Sequence, residues 1–389
     1  MQLYRKPKFY ISKIAYLAFV GALLGISFSA VSTIWAPYIE GFVEKAFLVG
    51  LVTTLLAAIS FLSSFIVIPI LEKTNKAKVY FYSLVVILLS YVLFSLIQNF
   101  FLFLIVAIVE VIAIVFKFGS FGVMIRNESK LKDIGKSEGL RYTLLNIGYI
   151  AGPPLAGFIA AKFGIALVFV FASIVCLVTL FLFSRINIRE STSLTKSDYN
   201  LLKNIVSYFS DSARLRAYLL KGGMAVWWGV VYVFFPLLIL QKGLGIEWVG
   251  IALFGVNLPL LLLEYPITKI ADKKGFKIFF VFGFLILAFV SLLVFFSSSI
   301  YLIMVLFVIS SVGAAFIEPL AEAYFFKITP KTEENKYYAP FLTSLDAGHV
   351  VGRAITSIVI ASVAFNYLFL FLCFEMLFFV FISLTLKKK

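Results

Sequence analysis

Several ionisable side chains lie inside long apolar runs, where a charge needs a partner or a task. At mid-bilayer a charged residue costs about 2.5 kcal/mol or more on insertion scales. Glu110 and Lys117 are seven residues apart, nearly in line on one helix face. Glu318 and Glu322 are one turn apart, with Pro319 breaking the backbone ladder between them. Asp346, His349 and Arg353 are spaced three and four apart, so all three share a face. Two chemistries suit these patterns. A buried carboxylate beside the one histidine, Glu318 with His349, can exchange a proton, and Glu110 and Asp346 are further carboxylates able to do so. The other is structural: Glu110, Lys117, Asp346 and Arg353 are neutralised pairs. Depth permits this, because at about 1.5 Å per residue Glu110 matches Arg353 and Lys117 matches Asp346.

The elements that carry these residues are apolar segments near or above the roughly 20 residues a membrane-crossing helix needs. They run over about 14–38, 46–71, 79–97, 101–125, 140–162 and 164–184. Six more follow at about 214–240, 247–270, 276–297, 300–328, 338–361 and 364–385. Twelve spans are expected in an all-α membrane protein. The first is too long for the roughly 7–15-residue apolar stretch of a signal peptide. With 62% hydrophobic residues, 14% charged and 45 Phe, the chain cannot cover its apolar surface in water. Cys176 and Cys373 both fall in apolar runs, so neither a disulfide framework nor a zinc site is indicated.

The +15 formal charge clusters in short loops on one side, including Lys73, Lys76, Lys78, Lys269, Lys273, Lys274 and Lys277. The opposite loops hold only Lys45, Lys162 and Lys242, so both termini are predicted to be cytoplasmic, with no nucleic-acid partner. Moving forward about 200 positions repeats the sequence: Gly50 falls on Gly250, Gly148 on Gly348 and Gly152 on Gly352. The domains predicted are a six-helix bundle over 1–184, a basic linker over 185–213 and a second bundle over 214–389. In the linker, Ser197-Asp198 reads as a helix cap, with Leu201, Leu202, Ile205, Val206 and Phe209 recurring at helical spacing. That helix lies on the inner membrane face or packs on the bundle.

Two six-span halves with a cytoplasmic linker resemble the major facilitator superfamily. The loop between spans 8 and 9 reads Thr268-Lys-Ile-Ala-Asp272-Lys273-Lys274-Gly275-Phe-Lys277, similar to that family's loop signature, with Thr268 in place of the first glycine. The equivalent loop between spans 2 and 3 departs from it: Asn75 holds the acid position and the second glycine is missing. Span 5 adds Gly148-Tyr-Ile-Ala-Gly152-Pro153-Pro154-Leu-Ala-Gly157, similar to the glycine–proline pattern of family exporters. The resemblance implies pseudo-symmetric bundles, with spans 1, 4, 7 and 10 lining a central cavity. It also implies a latch in which Asp272 sits under the start of span 5 near Arg141, where a helix N-terminus favours an anion. Asn75 would face the start of span 11 near Pro340, as an uncharged counterpart.

On cavity spans, Lys117, Arg353, Glu322, Trp35, Trp227, Trp228 and Tyr232 become candidate substrate contacts, since aromatic and polar walls suit an amphipathic organic molecule. The reading is a secondary transporter working by alternating access, proton-coupled and exporting such a molecule from the cell across the plasma membrane, as a lipid-embedded monomer. Uptake of an organic anion or sugar is the alternative, as is a flippase for lipids or lipid-linked sugars. No cofactor, metal site or enzyme activity is expected: a phosphate-binding GK[ST] loop, a metal-ligand cluster and a catalytic triad are all missing from the sequence.

Overall fold

A computed structural model describes residues 13–128, 134–186 and 201–386. Every regular element in them is helical. In the first half these are α1 (Lys13–Val43), α2 (Ala46–Lys73), α3 (Lys76–Phe94), α4 (Phe100–Glu128), α5 (Ile134–Phe163) and α6 (Ile165–Ser184). A short α7 (Leu201–Phe209) precedes the second half. There α8 (Ser212–Gly229) runs through a π turn into α9 (Phe235–Gln241) as one span, followed by α10 (Ile246–Lys274), α11 (Phe276–Phe296), α12 (Ile300–Ile328), α13 (Glu334–Ser362) and α14 (Tyr367–Leu384).

Eleven spans in the described residues are long and apolar enough to cross a membrane. The remaining expected span is α13, equally long but carrying Asp346, His349 and Arg353. Its polar face is turned to protein, so it needs less apolar surface than its neighbours. It begins at Glu334, which places Pro340 inside the helix and not at its start. Elsewhere the lipid-facing surfaces are plainly apolar: Leu62 is 61% exposed, Ile105 60% and Phe289 61%.

The repeated glycines explain the packing within each half. At Gly148 an added Cβ would meet the Ala22 carbonyl oxygen, and at Gly152 it would meet Ser29 and the Ala30 nitrogen, so α5 lies backbone to backbone on α1. At Gly348 it would meet the Gly222 carbonyl, and at Gly352 the Val226 Cα at 2.9 Å, so α13 lies on α8 in the same way. Without a hydrophobic driving force between helices in lipid, such close approach is what van der Waals attraction requires.

Gly50 and Gly250 join the halves instead. Gly50 on α2 faces Ser357 and Phe234, while a Cβ on Gly157 of α5 would lie 3.0 Å from the Gly250 Cα on α10. Both seams are at the end away from the chain termini. The space between the halves is therefore reached from the end that carries the termini.

The two loops of the signature differ in geometry. Gly275, between α10 and α11, has φ 86°, a left-handed conformation that favours glycine. Asn75 is extended (φ −70°) and its side chain accepts the Lys78 backbone N–H at 2.8 Å, capping α3. It thus caps its own following helix and not the far-half helix expected from the resemblance. No glycine is needed there. Lys273 is exposed, and the side chains of Asp272 and Arg141, the expected latch, lie outside the described residues.

The predicted linker helix is α7, while its expected Ser197-Asp198 cap lies outside the described residues. One face packs on the bundle: Tyr208 is buried with Ala217, Phe325, Tyr337 and Phe341, and the Ser207 and Tyr337 hydroxyls are 2.7 Å apart. Asp211 then caps α8 through the Ala213 and Arg214 N–H groups, each at 2.9 Å. Those hydrogen bonds and the nearby Arg214 charge hold its carboxyl below the usual aspartate range.

Close packing at the repeated glycines has a direct consequence. Gly348→Val should cost about 1–3 kcal/mol by overpacking, seen as a lower thermal midpoint in detergent. Gly41→Ala, where an added Cβ meets nothing within 4 Å, should leave the midpoint unchanged or slightly raised.

Candidate functional site

On α12 the exposed apolar residues Tyr301, Val305 and Ile309 mark the lipid side. Glu318 lies about 180° from Ile309 around the helix, on the inner side, and yet its side chain is solvent-accessible. It therefore faces the space between the halves. The Trp228 indole N–H on α8 donates to its carboxylate at 3.2 Å. Trp228 in turn stacks on Tyr232, with ring centroids 5.2 Å apart and planes 23° from parallel. The Tyr232 hydroxyl donates to Asn257 on α10 at 3.2 Å.

Tyr232 lies within the π turn Val230–Phe234. Pro236 has no N–H to return to the carbonyl one turn back, so the ladder there widens instead of continuing as α-helix. Tyr232 follows Trp228 by four residues, on the same helix face, and the Trp227 ring meets that of Trp228 edge-on, with centroids 4.8 Å apart. Trp227 is 1% exposed, and with Ser291, Phe307 and Phe369 it lines a cavity of about 10 Å³ inside the second half. It is a packing residue, not a wall of the central space.

Three further candidates also turn away from that space. Trp35 sits among Tyr38, Phe94 and Phe103, an aromatic cluster within the first half. Lys117 is buried with its ammonium 4.4 Å from the Phe28 ring centre and 3.6 Å from that of Phe118. Glu110 is 4% exposed, and its charge acts on Tyr91 of α3. Both belong to the interior of the first half.

The polar face of α13 meets α2. Asp346 accepts hydrogen bonds from Ser60 at 2.9 Å and Ser64 at 3.0 Å, and Arg353 donates to the Thr53 carbonyl at 3.2 Å. Depth matching pointed to α4, but the bonds made are to α2, whose hydroxyls lie directly across the seam. His349 stands between the faces that touch α2 and α8, and its charged neighbour is Arg353, one turn on. Among the described residues no hydrogen bond joins His349 to Glu318.

A buried lysine completes the site. Lys221 on α8 lies 4.3 Å from the Phe341 ring centre, within reach of the charges of Glu322 and Glu318. Glu322 also accepts the Tyr338 hydroxyl of α13. Lys221 could have been found in the sequence as a charge between Leu220 and Gly222 in an apolar run. Ser60, Ser64 and Asn257 gave no such signal, since small polar residues are common in membrane helices.

The family model of the Major Facilitator Superfamily matches residues 17–258 and 224–389, which together span nearly the whole chain. The chain belongs to the Major Facilitator Superfamily. Solved structures agree on the fold. A POT family transporter in complex with 5-aminolevulinic acid is similar with a TM-score of 0.80 at 14% identity, covering 97% of this chain and 96% of that one. The nucleoside transporter NupG gives 0.78 at 11% identity, over 95% and 98%. No curated protein sequence matches significantly. The twelve-span, two-bundle fold is thus that of this superfamily, and a secondary transporter follows from it.

In this superfamily member the α2–α13 seam rests on Asp346. Ser60→Ala with Ser64→Ala removes two hydrogen bonds to a charged group, worth about 1.5–3 kcal/mol each. A cysteine in place of Ser357, buried against Gly50, should then react about tenfold faster or more with a membrane-impermeant maleimide. Unchanged labelling would mean that the hydroxyls do not hold the halves together.

Proposed function

We propose that this protein is a proton-coupled secondary transporter that exports a small amphipathic organic molecule across the cell membrane, with both termini in the cytoplasm. The observation that carries the reading is Glu318: a carboxylate deep between the helices of the second half, yet open to solvent and bonded to Trp228. The one-sided loop charges support the orientation. With the termini inside, the space between the halves opens to the cytoplasm, where a compound for export is loaded.

Coupling follows from electrostatics. Closing the halves over Glu318 would strand a carboxylate in a low-dielectric interior, at a large cost. The charge has to be neutralised first, by a proton or by a cationic group of the cargo. An empty, unprotonated transporter is then held back from switching, and each switch carries a neutralising partner. Asp346 serves a different purpose in this scheme, because its hydroxyl partners on α2 are released only when the seam opens.

The test uses proteoliposomes containing a pH dye. In Glu318→Gln, compound-driven proton movement should fall to the protein-free background, whereas His349→Ala should retain it because His349 does not contact Glu318. Flux that persists in Glu318→Gln would remove Glu318 from the coupling role.

A further inference from the structure

The charges around the central space do not balance evenly. Lys221 is covered by Phe341, and its one charge is shared between Glu322 and Glu318. Asp346 has Arg353 on its own helix and two serine hydroxyls across the seam. A third carboxylate, Glu264 on α10, feels the charge of Glu318, so three carboxylates face one ammonium, an excess of two.

Their positions agree. Glu318 is ten residues from the end of α12 at Ile328, and Glu264 is ten from the end of α10 at Lys274 (328 − 318 and 274 − 264). At about 1.5 Å per residue, both stand about 15 Å in from the end that carries the termini. Glu264 also lies two turns along the same helix face as Asn257, the residue that Tyr232 bonds. The wall above the carboxylates is the stacked Trp228–Tyr232 pair.

We propose that this is a binding site for an organic cation: a quaternary or protonated amine, or an equivalent onium group, carried on an apolar aromatic body. The cation sits between Glu318 and Glu264 at the indole edge of Trp228, and the apolar body lies on the Trp228–Tyr232 stack. Aromatic faces attract cations, most strongly where water is excluded, and indole is the best of them. An anion finds no counterpart here, since Lys221 is covered by Phe341 and already faces Glu322 and Glu318. This rests on the transporter reading above and gives it a substrate class. Cargo and proton then compete for one carboxylate, so release of one accompanies binding of the other.

The test measures equilibrium binding to the full chain in nanodiscs, with three probes of similar size: the tetraphenylphosphonium cation, neutral triphenylphosphine oxide and the tetraphenylborate anion. The cation should bind about tenfold or more tightly than either of the others. Glu264→Gln and Glu318→Gln should each weaken it about tenfold, with Glu318→Asp retaining most of the affinity as a check on folding. Equal or tighter binding of the borate would overturn the site, as would cation binding unchanged in Glu264→Gln. Transport of an anion by protein that does not bind the cation would overturn the site and leave the transporter reading intact. Cation binding with no flux in proteoliposomes would do the reverse.

Discussion

A charge placed in a membrane has to be answered by another polar group, and in this protein α13 makes most of that demand. It carries Asp346 and Arg353 on one face and sets them against α2, where Ser60, Ser64 and the Thr53 carbonyl respond. This polar seam accounts for several features at once. It explains why α13 is less hydrophobic than the other spans and why Gly50 is stripped of a side chain opposite Ser357. It also explains why the halves are joined from one end down to the polar layer. Because that end is closed, Glu318 is reached from the other.

The two seams between the halves correspond by the internal repeat but differ in chemistry. Between α5 and α10 the contact is glycine on glycine and governed by shape. Between α2 and α13 it is a carboxylate held by two hydroxyls, governed by charge. A rocking motion would break both, but only the second responds to anything that alters the state of Asp346. Within each half, α1 with α5 and α8 with α13 form rigid pairs through the repeated glycines.

Much of the fold was legible in the sequence because its causes are local and periodic. Apolar length marks a span, and the repeat at about 200 residues marks the halves. Gly148 and Gly348 stand at equivalent positions because both face a neighbouring backbone. The site was less legible. Trp227 and Trp228 are adjacent and chemically identical, and the helix rotation that buries the first and gives the second to Glu318 is not written in residue type. Depth along the chain matched Lys117 with Asp346, but helix rotation turns Lys117 into its own half toward Phe28. Glu318 and His349 suggest a proton pair by residue type, while rotation about the helix axes gives Glu318 to Trp228 and leaves no hydrogen bond between Glu318 and His349 among the described residues. Asn75 caps the helix that follows it, and its loop makes no left-handed turn.

If the halves are joined at one end and open at the other, and these ends exchange, distances between spin labels will report it. One pair, at Lys45 and Ser362, spans the closed end, and the other, at Lys73 and Lys331, spans the end that carries the termini; all four side chains are exposed. In the empty protein the first distance should be short and narrowly distributed and the second long. A neutralising change at Glu318, by Glu318→Gln or by acid, should lengthen the first and shorten the second together. Distances that stay fixed, or that lengthen at both ends at once, would mean that the two ends do not exchange.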